Sequence, residues 1–136
     1  MNVYLSARSS DLAKARAAME RLHCAGHTIT HDWTRPVELH EAEPGNDETL
    51  AACGRADIEG VIAAEVVVVL INSPHGPGTG AAVEMGAAFA TGRSVILVET
   101  HGPVGAWARH PFCLMATARV ESLEDALFLL SGWGRA

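Results

Sequence analysis

Hydrophobic and polar positions follow one another along the chain in blocks that predict strands and helices in turn. Short apolar or β-branched runs predict five strands, and longer runs with helical spacing predict four main helices. The predicted strands are residues 3–5, 28–30, 66–71, 94–98 and 118–120, and the predicted helices are residues 11–25, 50–64, 80–91 and 123–130. This alternation is typical of an α/β protein with a parallel sheet.

The run Val66–Ile71 contains six apolar residues without polar alternation. Such a run indicates a strand covered by helices on both faces. We therefore predict a single doubly wound five-stranded parallel sheet, a flavodoxin-like or Rossmann-like three-layer sandwich. Ligands of such sheets bind beyond the carboxyl ends of the strands, which directs attention to residues 5–10 and 72–84.

Several residues indicate where the helices begin and end. Ser10 and Asp11 can cap the first helix, Gly26 can end it, and Ser122 followed by Asp125 resembles a capping arrangement for the last helix. These signals support the predicted boundaries.

Two stretches interrupt the pattern. Residues 34–47 contain Pro36, Pro44, Gly45 and several acids, which predicts a long loop or a partly ordered insertion. Residues 100–113 are predicted to be irregular.

Length and charge exclude several classes of protein. The chain has 136 residues, 49% of them hydrophobic, which favours one domain spanning residues 1–136. The 16 acidic and 10 basic residues give a net charge of −6, which argues against nucleic acid as a partner. The most apolar stretch, residues 63–71, is strand-length and contains Glu65, so a membrane protein is not expected.

The cysteines and histidines do not form a recognisable motif. The start of the chain has no leader pattern, and the three cysteines (Cys24, Cys53 and Cys113) are odd in number and scattered, which favours a reducing cytoplasm with core-filling thiols. A Cys–His nucleophile pair is not expected, because Cys24 and Cys53 fall on apolar helix faces and Cys113 has no local base signature. His23, His27 and His31 are spaced by four, but the last two are predicted on a strand. No metal site is therefore expected.

The most informative segment is the Gly/Pro loop after the third strand. It contains Gly78 and Gly80 and opens a helix in which Glu84 stands among small residues. The positive helix N-terminus favours an ionised carboxylate or a bound anion. Two interpretations stay open: Glu84 faces a ligand, or it only complements the helix dipole while the alanines pack tightly. The loop lacks the Gly-Lys-Ser/Thr of a Walker motif, and its glycines follow the wrong strand for a dinucleotide fingerprint.

Asp57 lies in or beside the predicted buried stripe of its helix. A carboxylate there must be hydrogen-bonded or face a cavity. The alternative is an ordinary pair with Arg55 or a main-chain donor at the edge of the stripe. The stripe consists of Leu50, Cys53, Ile58, Val61 and Ile62.

The end of the first strand brings hydroxyls and a guanidinium together. The groups there are suited to binding a sugar hydroxyl or a phosphate, and they belong to Arg8, Ser9 and Ser10. In the alternative interpretation, Ser9 and Ser10 only cap a helix and Arg8 is solvated. Trp33, after the second strand, can stack on a base or pack at the edge of the core.

These residues together resemble a known family. Tyr4-Leu5-Ser6, Asp57 eight residues before Glu65, and Gly78-Thr79-Gly80-x-x-Val83-Glu84-Met85-Gly86 are similar to the nucleoside 2-deoxyribosyltransferase superfamily. That superfamily includes 2'-deoxynucleoside 5'-phosphate N-hydrolases. The resemblance covers roughly residues 3–130.

The resemblance implies a role for each matching residue. Glu84 would attack C1' of the sugar and form a covalent glycosyl-enzyme intermediate, which water or another base resolves. Asp57 would handle sugar hydroxyls or the proton of the departing base, and Tyr4 would border and orient the nucleophile. Ser6, at the end of the same strand, is expected among the substrate-binding residues. The resemblance implies no metal or redox cofactor. It implies a homodimer or a higher homo-oligomer.

Two positions depart from the family pattern. The transferases carry a further acid six residues before the glutamate, where this chain has Gly78, and His75 is the nearest titratable candidate. Arg8, Ser9 and Ser10 match the phosphate cradle of the hydrolases only approximately. The resemblance therefore predicts cleavage of an N-glycosidic bond more firmly than base exchange.

Two other functions remain in view. The first is a non-catalytic nucleotide-binding or sensor module on the same fold. The second is a flavodoxin-type FMN protein, although the first-strand loop lacks the expected phosphate loop. Retention of both Asp57 and Glu84 favours the enzyme.

Overall fold

Five parallel strands form one sheet at the centre of the protein. The computed structural model describes residues 1–42 and 45–133, and within them the strand order is β2-β1-β3-β4-β5. The strands are β1 (Asn2–Ser6), β2 (Thr28–Ile29), β3 (Val66–Ile71), β4 (Ser94–Glu99) and β5 (Ala118–Val120). The predicted fold class is confirmed. The single domain predicted for residues 1–136 includes residues 43–44 and 134–136, which lie outside the described residues.

Helices cover both faces of the sheet. In the described residues they are α1 (Leu12–Cys24), α2 (Thr34–Ala42), α3 (Asp47–Ala63), α4 (Thr79–Ala90), α5 (Pro111–Leu114) and α6 (Leu123–Ser131). Helices α3 and α4 pack together in one layer. Helices α1 and α6 are joined by the Arg21–Glu124 ion pair in the other layer. None of the described helices has the length and apolar character needed to cross a bilayer.

The central position of β3 follows from its composition. All six residues of Val66–Ile71 are buried, and the strand pairs with β1 on one side and with β4 on the other. Complete burial of an aliphatic side chain stabilises a fold by about 1.5–3 kcal/mol. The β1–β3 pairing places Ser6 beside Val69 and opens a crevice beyond their carboxyl ends.

The stretch predicted as a long loop is largely helical. Residues 34–42 form α2, and α3 begins at Asp47, three residues earlier than predicted, while Pro44 lies outside the described residues. The loop prediction was wrong because a proline is compatible with the first turn of a helix, where Pro36 stands. Oδ1 of Asp32 accepts a hydrogen bond from the Thr34 amide at 3.0 Å and satisfies one free N–H of that turn.

The segment between β4 and β5 also contains helical turns. Residues predicted as irregular form a 3-10 helix, Ala106–Arg109, followed by α5. Arg119 anchors them, because its Nη1 donates to the carbonyl of Ala108 at 3.1 Å while its Nε donates to Glu99 at 2.7 Å.

The predicted boundary signals have mixed outcomes. Ser122 caps α6 as predicted, by accepting a hydrogen bond from the Asp125 amide at 3.1 Å. Helix α1 ends at Cys24, shortly before Gly26, whose φ is 94°. Ser10 and Asp11 make no capping hydrogen bond, because a 3-10 turn over Ser9–Asp11 leads into α1 instead.

Several predicted core positions lie at the surface. Cys113 is buried, but Cys24 is exposed and Cys53 is half-buried, so the expectation of core-filling thiols was wrong for Cys24. On α3, Leu50 and Ile62 are 48% and 43% exposed. The buried surface of α3 is narrower than predicted, because its buried positions are Gly60 and Val61.

Candidate active site

Two hydroxyls hold the carboxylate of Glu84 at the carboxyl end of β1. Tyr4 and Ser6 are two residues apart on that strand, so both side chains point to the same face of the sheet. The Tyr4 hydroxyl donates to Oε2 of Glu84, and Ser6 Oγ donates to Oε1 at 2.9 Å. A carboxylate oxygen can accept two hydrogen bonds, so each oxygen keeps acceptor capacity for a ligand.

Burial determines the protonation behaviour of this carboxyl group. Only 8% of Glu84 is exposed. Burial raises the pKa of Glu84 to about 7, although the hydrogen bonds from Tyr4 and Ser6 lower it, and the negative charge of Asp57 raises it further. Burial and the neighbouring Glu84 also raise the pKa of Tyr4, so its phenol stays protonated and donates.

The raised pKa argues against the interpretation of Glu84 as a dipole-complementing acid. Helix α4 begins at Thr79, so Glu84 is its sixth residue and lies in the second turn. The field of a helix terminus falls off within the first turn. The helix therefore positions Glu84 without appreciably stabilising its charge.

Glu84 and Asp57 line the same cavity. Its volume is about 330 Å³, within the range of small-molecule sites. Most of the residues predicted as a binding site gather here. The remaining lining residues are Ala7, Arg8, Ser9, Ser10, Trp33, Val37, Gly78, Thr79, Gly80 and Ala81.

The partner of Asp57 is a histidine that sequence reasoning did not select. In the described part of the chain, Nε2 of His31 lies 3.3 Å from Oδ1 of Asp57, and the alternative partner Arg55 makes no ion pair. Burial raises the pKa of Asp57, and His31 opposes this shift. No local pattern could have paired them, because they lie 26 positions apart and meet only where the end of β2 passes α3.

Gly60 allows α3 to approach this arrangement closely. A Cβ atom at Gly60 would lie 2.7 Å from Cβ of His31 and 3.0 Å from the ring of Tyr4. Any side chain there would displace one of these two groups. Gly60 therefore sets the spacing between Asp57 and the Tyr4–Glu84 pair.

Arg8 packs across the glycine loop at the mouth of the cavity. Its Nη2 donates to the carbonyl of Gly76 at 3.2 Å, and a Cβ at Gly78 would lie 3.0 Å from its Cγ. Ser9 and Ser10 follow at the start of the 3-10 turn. A guanidinium, two hydroxyls and the amides of two helix starts thus border one end of the cavity.

Trp33 packs against β1 and also lines the cavity. It is 6% exposed, and its Nε1 donates to the carbonyl of Leu5 at 2.7 Å. Trp33 therefore packs at the edge of the core, and its stacking on a base stays a prediction. Its indole is fixed in position as a wall of the cavity.

His75 does not join the other predicted site residues. It is exposed and lines a separate apolar cavity of about 570 Å³, together with Trp107 and Met85. That cavity contains neither Glu84 nor Asp57 because it lies along a different face of α4. The structure therefore does not bring His75 together with the Glu84 site, and its part in substrate binding stays a prediction.

The groups facing the Glu84 cavity are carboxylates, hydroxyls, a guanidinium and an indole. Within residues 1–42 and 45–133, no three His, Cys, Asp or Glu side chains are grouped as a metal site requires. The absence of a metal or redox cofactor stays a prediction.

Three solved structures share the fold of this chain. A 2-deoxyribosyltransferase from the psychrotolerant bacterium Bacillus psychrosaccharolyticus is 23% identical with a TM-score of 0.68, over 93% of this chain and 90% of its own. A conserved protein from Enterococcus faecalis V583 is 17% identical with a TM-score of 0.66, over 96% and 97%. The CMP N-glycosidase of Clostridium botulinum is 13% identical with a TM-score of 0.59, over 98% and 100%. At these identities the likeness concerns the fold.

Family membership rests on the sequence model of the family. The model of nucleoside 2-deoxyribosyltransferases matches residues 3–121. The chain therefore belongs to the nucleoside 2-deoxyribosyltransferase family, as the resemblance predicted. No curated protein matches it significantly.

Proposed function

We propose that this protein cleaves the N-glycosidic bond of a (2'-deoxy)nucleoside or its 5'-monophosphate through a covalent glycosyl-Glu84 intermediate. Membership of the deoxyribosyltransferase family supports a reaction at this bond. The observation that carries the proposal is the buried Glu84 carboxylate, which two hydroxyls hold at the wall of a cavity shared with Asp57.

In the first step an oxygen of ionised Glu84 forms a bond to C1' of the sugar. The bond between C1' and the base nitrogen breaks, and its electron pair leaves with the base. Hydrogen bonds from Tyr4 and Ser6 fix the direction of the carboxylate. Its desolvation keeps the attacking oxygens basic, because burial raises the pKa of Glu84.

Asp57 supplies the proton that the leaving base needs, or orients the sugar hydroxyls. Burial raises the pKa of Asp57 while His31 opposes the shift, and in its protonated form this carboxyl group is a donor facing the cavity. His31, whose Nε2 lies 3.3 Å from Oδ1 of Asp57, is a positioning residue. In the second step water attacks C1', the bond to Glu84 breaks, and the proton of water passes to Asp57; in a transferase another base replaces water.

The mouth of the cavity suits a phosphate. Arg8 contributes a guanidinium, and Ser9 and Ser10 contribute hydroxyls, where a 5'-phosphate would lie beside the amides of Gly78 and Gly80. Trp33 forms an apolar wall for a sugar or a base. The named activities of the two enzymes of like fold, on deoxyribosyl groups and on CMP, are both compatible with this proposal.

Gly78 favours hydrolysis over base exchange, because the family transferases carry an acid at that position. The proposal also includes a cytoplasmic homodimer or higher homo-oligomer, with a small molecule and not nucleic acid as the partner.

Product chromatography tests the proposal most simply. The protein is incubated with a panel of nucleosides and 5'-monophosphates, with and without an added free base. Release of free base supports the proposal, and a new nucleoside formed only with added base identifies a transferase. Binding of a nucleotide by calorimetry without any base release would contradict it and identify a binding or sensor module.

A further inference from the structure

A thiol and an imidazole face each other beside the Glu84 cavity. Sγ of Cys53, on α3, lies 3.4 Å from Nε2 of His40, on α2. Both side chains are half-buried. The sequence predicts no Cys–His pair, because it places Cys53 on an apolar helix face, and α2, which carries His40, was not predicted.

This pair opens onto a cavity that continues into the candidate active site. The second cavity has a volume of about 320 Å³, and both Cys53 and His40 line it. Cys53 precedes Asp57 by one helical turn, so their side chains lie on the same face of α3. The residues shared by the two cavities are Ser9, Trp33, Val37 and Asp57.

From this geometry we infer that Cys53 is a modification site for low-molecular-weight disulfides, with His40 as its base. As the sulfur of Cys53 attacks one sulfur of the disulfide, Nε2 of His40 takes the thiol proton. The new S–S bond forms, the old one breaks, and the released thiolate recovers the proton. No further oxidant is needed, because the disulfide itself is reduced.

The adduct would extend into the space used by the substrate. A group attached to Sγ of Cys53 has the shared cavity beside it and Asp57 one turn away. It therefore blocks access to Asp57 and Glu84 until a reducing thiol removes it. This consequence for turnover rests on the proposed function, whereas the reactivity of Cys53 does not.

The chain contains its own control thiols. Cys24 is exposed and lies 3.8 Å from a carboxylate oxygen of Glu20, so it is more accessible than Cys53 but lacks an imidazole. Cys113 is buried. Accessibility alone therefore predicts that Cys24 reacts first, and the imidazole predicts that Cys53 does.

Peptide mass spectrometry with the full chain and cystamine measures these rates directly. We expect Cys53 to be modified about tenfold faster than Cys24. His40→Gln keeps a hydrogen-bonding group but removes the base. It should slow the modification of Cys53 by about tenfold and leave the modification rate of Cys24 unchanged. Free imidazole should restore part of the rate, which a purely structural defect would not allow. The inference is overturned if Cys53 reacts no faster than Cys24, or if His40→Gln leaves its rate unchanged.

Two further measurements test the blocking effect. A crystal structure of the cystamine adduct should place the added group in the shared cavity, and an adduct directed into solvent would contradict the inference. The rate of base release should fall when cystamine modifies Cys53 and should return when dithiothreitol removes the adduct. In Cys53→Ser, cystamine should leave the rate of base release unchanged. If no nucleoside is turned over at all, the proposed function fails, while the thiol rates and the adduct structure still decide this inference.

Discussion

Two buried glutamates have their carboxylates at the carboxyl ends of strands of the same sheet, and their hydrogen-bond partners differ: Glu84 lies beside β1 and Glu99 ends β4. Glu99, at the end of β4, is 3% exposed and accepts hydrogen bonds from Nε and Nη2 of Arg119 at 2.7 and 3.0 Å. Glu84 is 8% exposed, and its hydrogen-bond donors in the described residues are the neutral hydroxyls of Tyr4 and Ser6. The difference between the two lies in neutralisation rather than in burial.

A charged partner distinguishes the structural glutamate, Glu99, from the candidate catalytic glutamate, Glu84. The Glu99–Arg119 pair also fixes the segment before β5 through the carbonyl of Ala108, so its charge is fully used in the fold. In the described residues no cation neutralises Glu84, so burial of its charge is unfavourable and raises its pKa to about 7. A strongly perturbed carboxyl group in a cavity indicates a functional site.

The largest expected effect comes from removing the charge of Glu84. Glu84→Gln should reduce base release by on the order of a thousandfold or more, because a nucleophile cannot be replaced by its neighbours. The variant should remain folded by circular dichroism. The control is Glu59→Gln, an exposed position on α3, which should retain full activity. Undiminished base release from folded Glu84→Gln would refute the assignment.

The corresponding change at Glu99 should act on stability. Glu99→Gln leaves Arg119 without its charged partner, and should lower the free energy of unfolding by about 3 kcal/mol in urea titrations. Breaking the exposed Arg21–Glu124 pair with Glu124→Gln should cost less than about 1 kcal/mol. If Glu99→Gln lowers turnover of the folded protein as much as Glu84→Gln does, the distinction between the two glutamates is wrong.

The pH dependence of stability should reveal the unneutralised glutamate. The pKa of Glu84 is about 7 in the folded protein, against an ordinary value of 4.5. Between these values the folded state binds the proton more strongly, so Glu84 lowers the free energy of unfolding as pH rises, by about 3 kcal/mol in total. The difference in free energy of unfolding between the wild type and Glu84→Gln should show this loss between about pH 4.5 and 7. A difference that does not change with pH over this range would contradict the prediction.

Tyr4→Phe should have a smaller effect and sharpen the same comparison. Activity requires ionised Glu84, so the rising limb of the plot of kcat/KM against pH should have its midpoint near 7, and a falling limb should follow where Asp57 donates the proton. Loss of the Tyr4 hydroxyl removes a hydrogen bond that lowers the pKa of Glu84, so the midpoint of the rising limb should move to higher pH. The maximum of kcat/KM should fall by about tenfold. Ser6→Ala should shift the midpoint in the same direction, and a shift to lower pH in either variant would be inconsistent with this arrangement.

Most of the fold is contained in local patterns. The apolar run Val66–Ile71 predicts a strand buried on both faces, and the alternation of strands and helices along the chain predicts a parallel sheet. Helix α2 is the exception, because Pro36 and the acids around it resemble a loop. What makes those residues helical is capping by Asp32 and contact with α1 through Arg16, which lies 18 positions before Thr34.

The candidate site is less completely contained in the sequence. Tyr4, Asp57 and Glu84 are individually recognisable from family motifs and helix position. His31 beside Asp57 and His40 beside Cys53 are not, because each pair forms only when distant elements pack together. His75 shows the opposite case, since it is close to Glu84 along the chain but lies in the loop before α4 and lines a different cavity.

The most direct test of the account is the chemical state of Glu84 during turnover. A reaction with a cleaved nucleoside or nucleotide is quenched in acid, digested, and analysed by peptide mass spectrometry. The account predicts a peptide heavier by one glycosyl group, with the added mass on Glu84 and absent in Glu84→Gln. Steady turnover without any adduct, or an adduct located on Asp57, would contradict it.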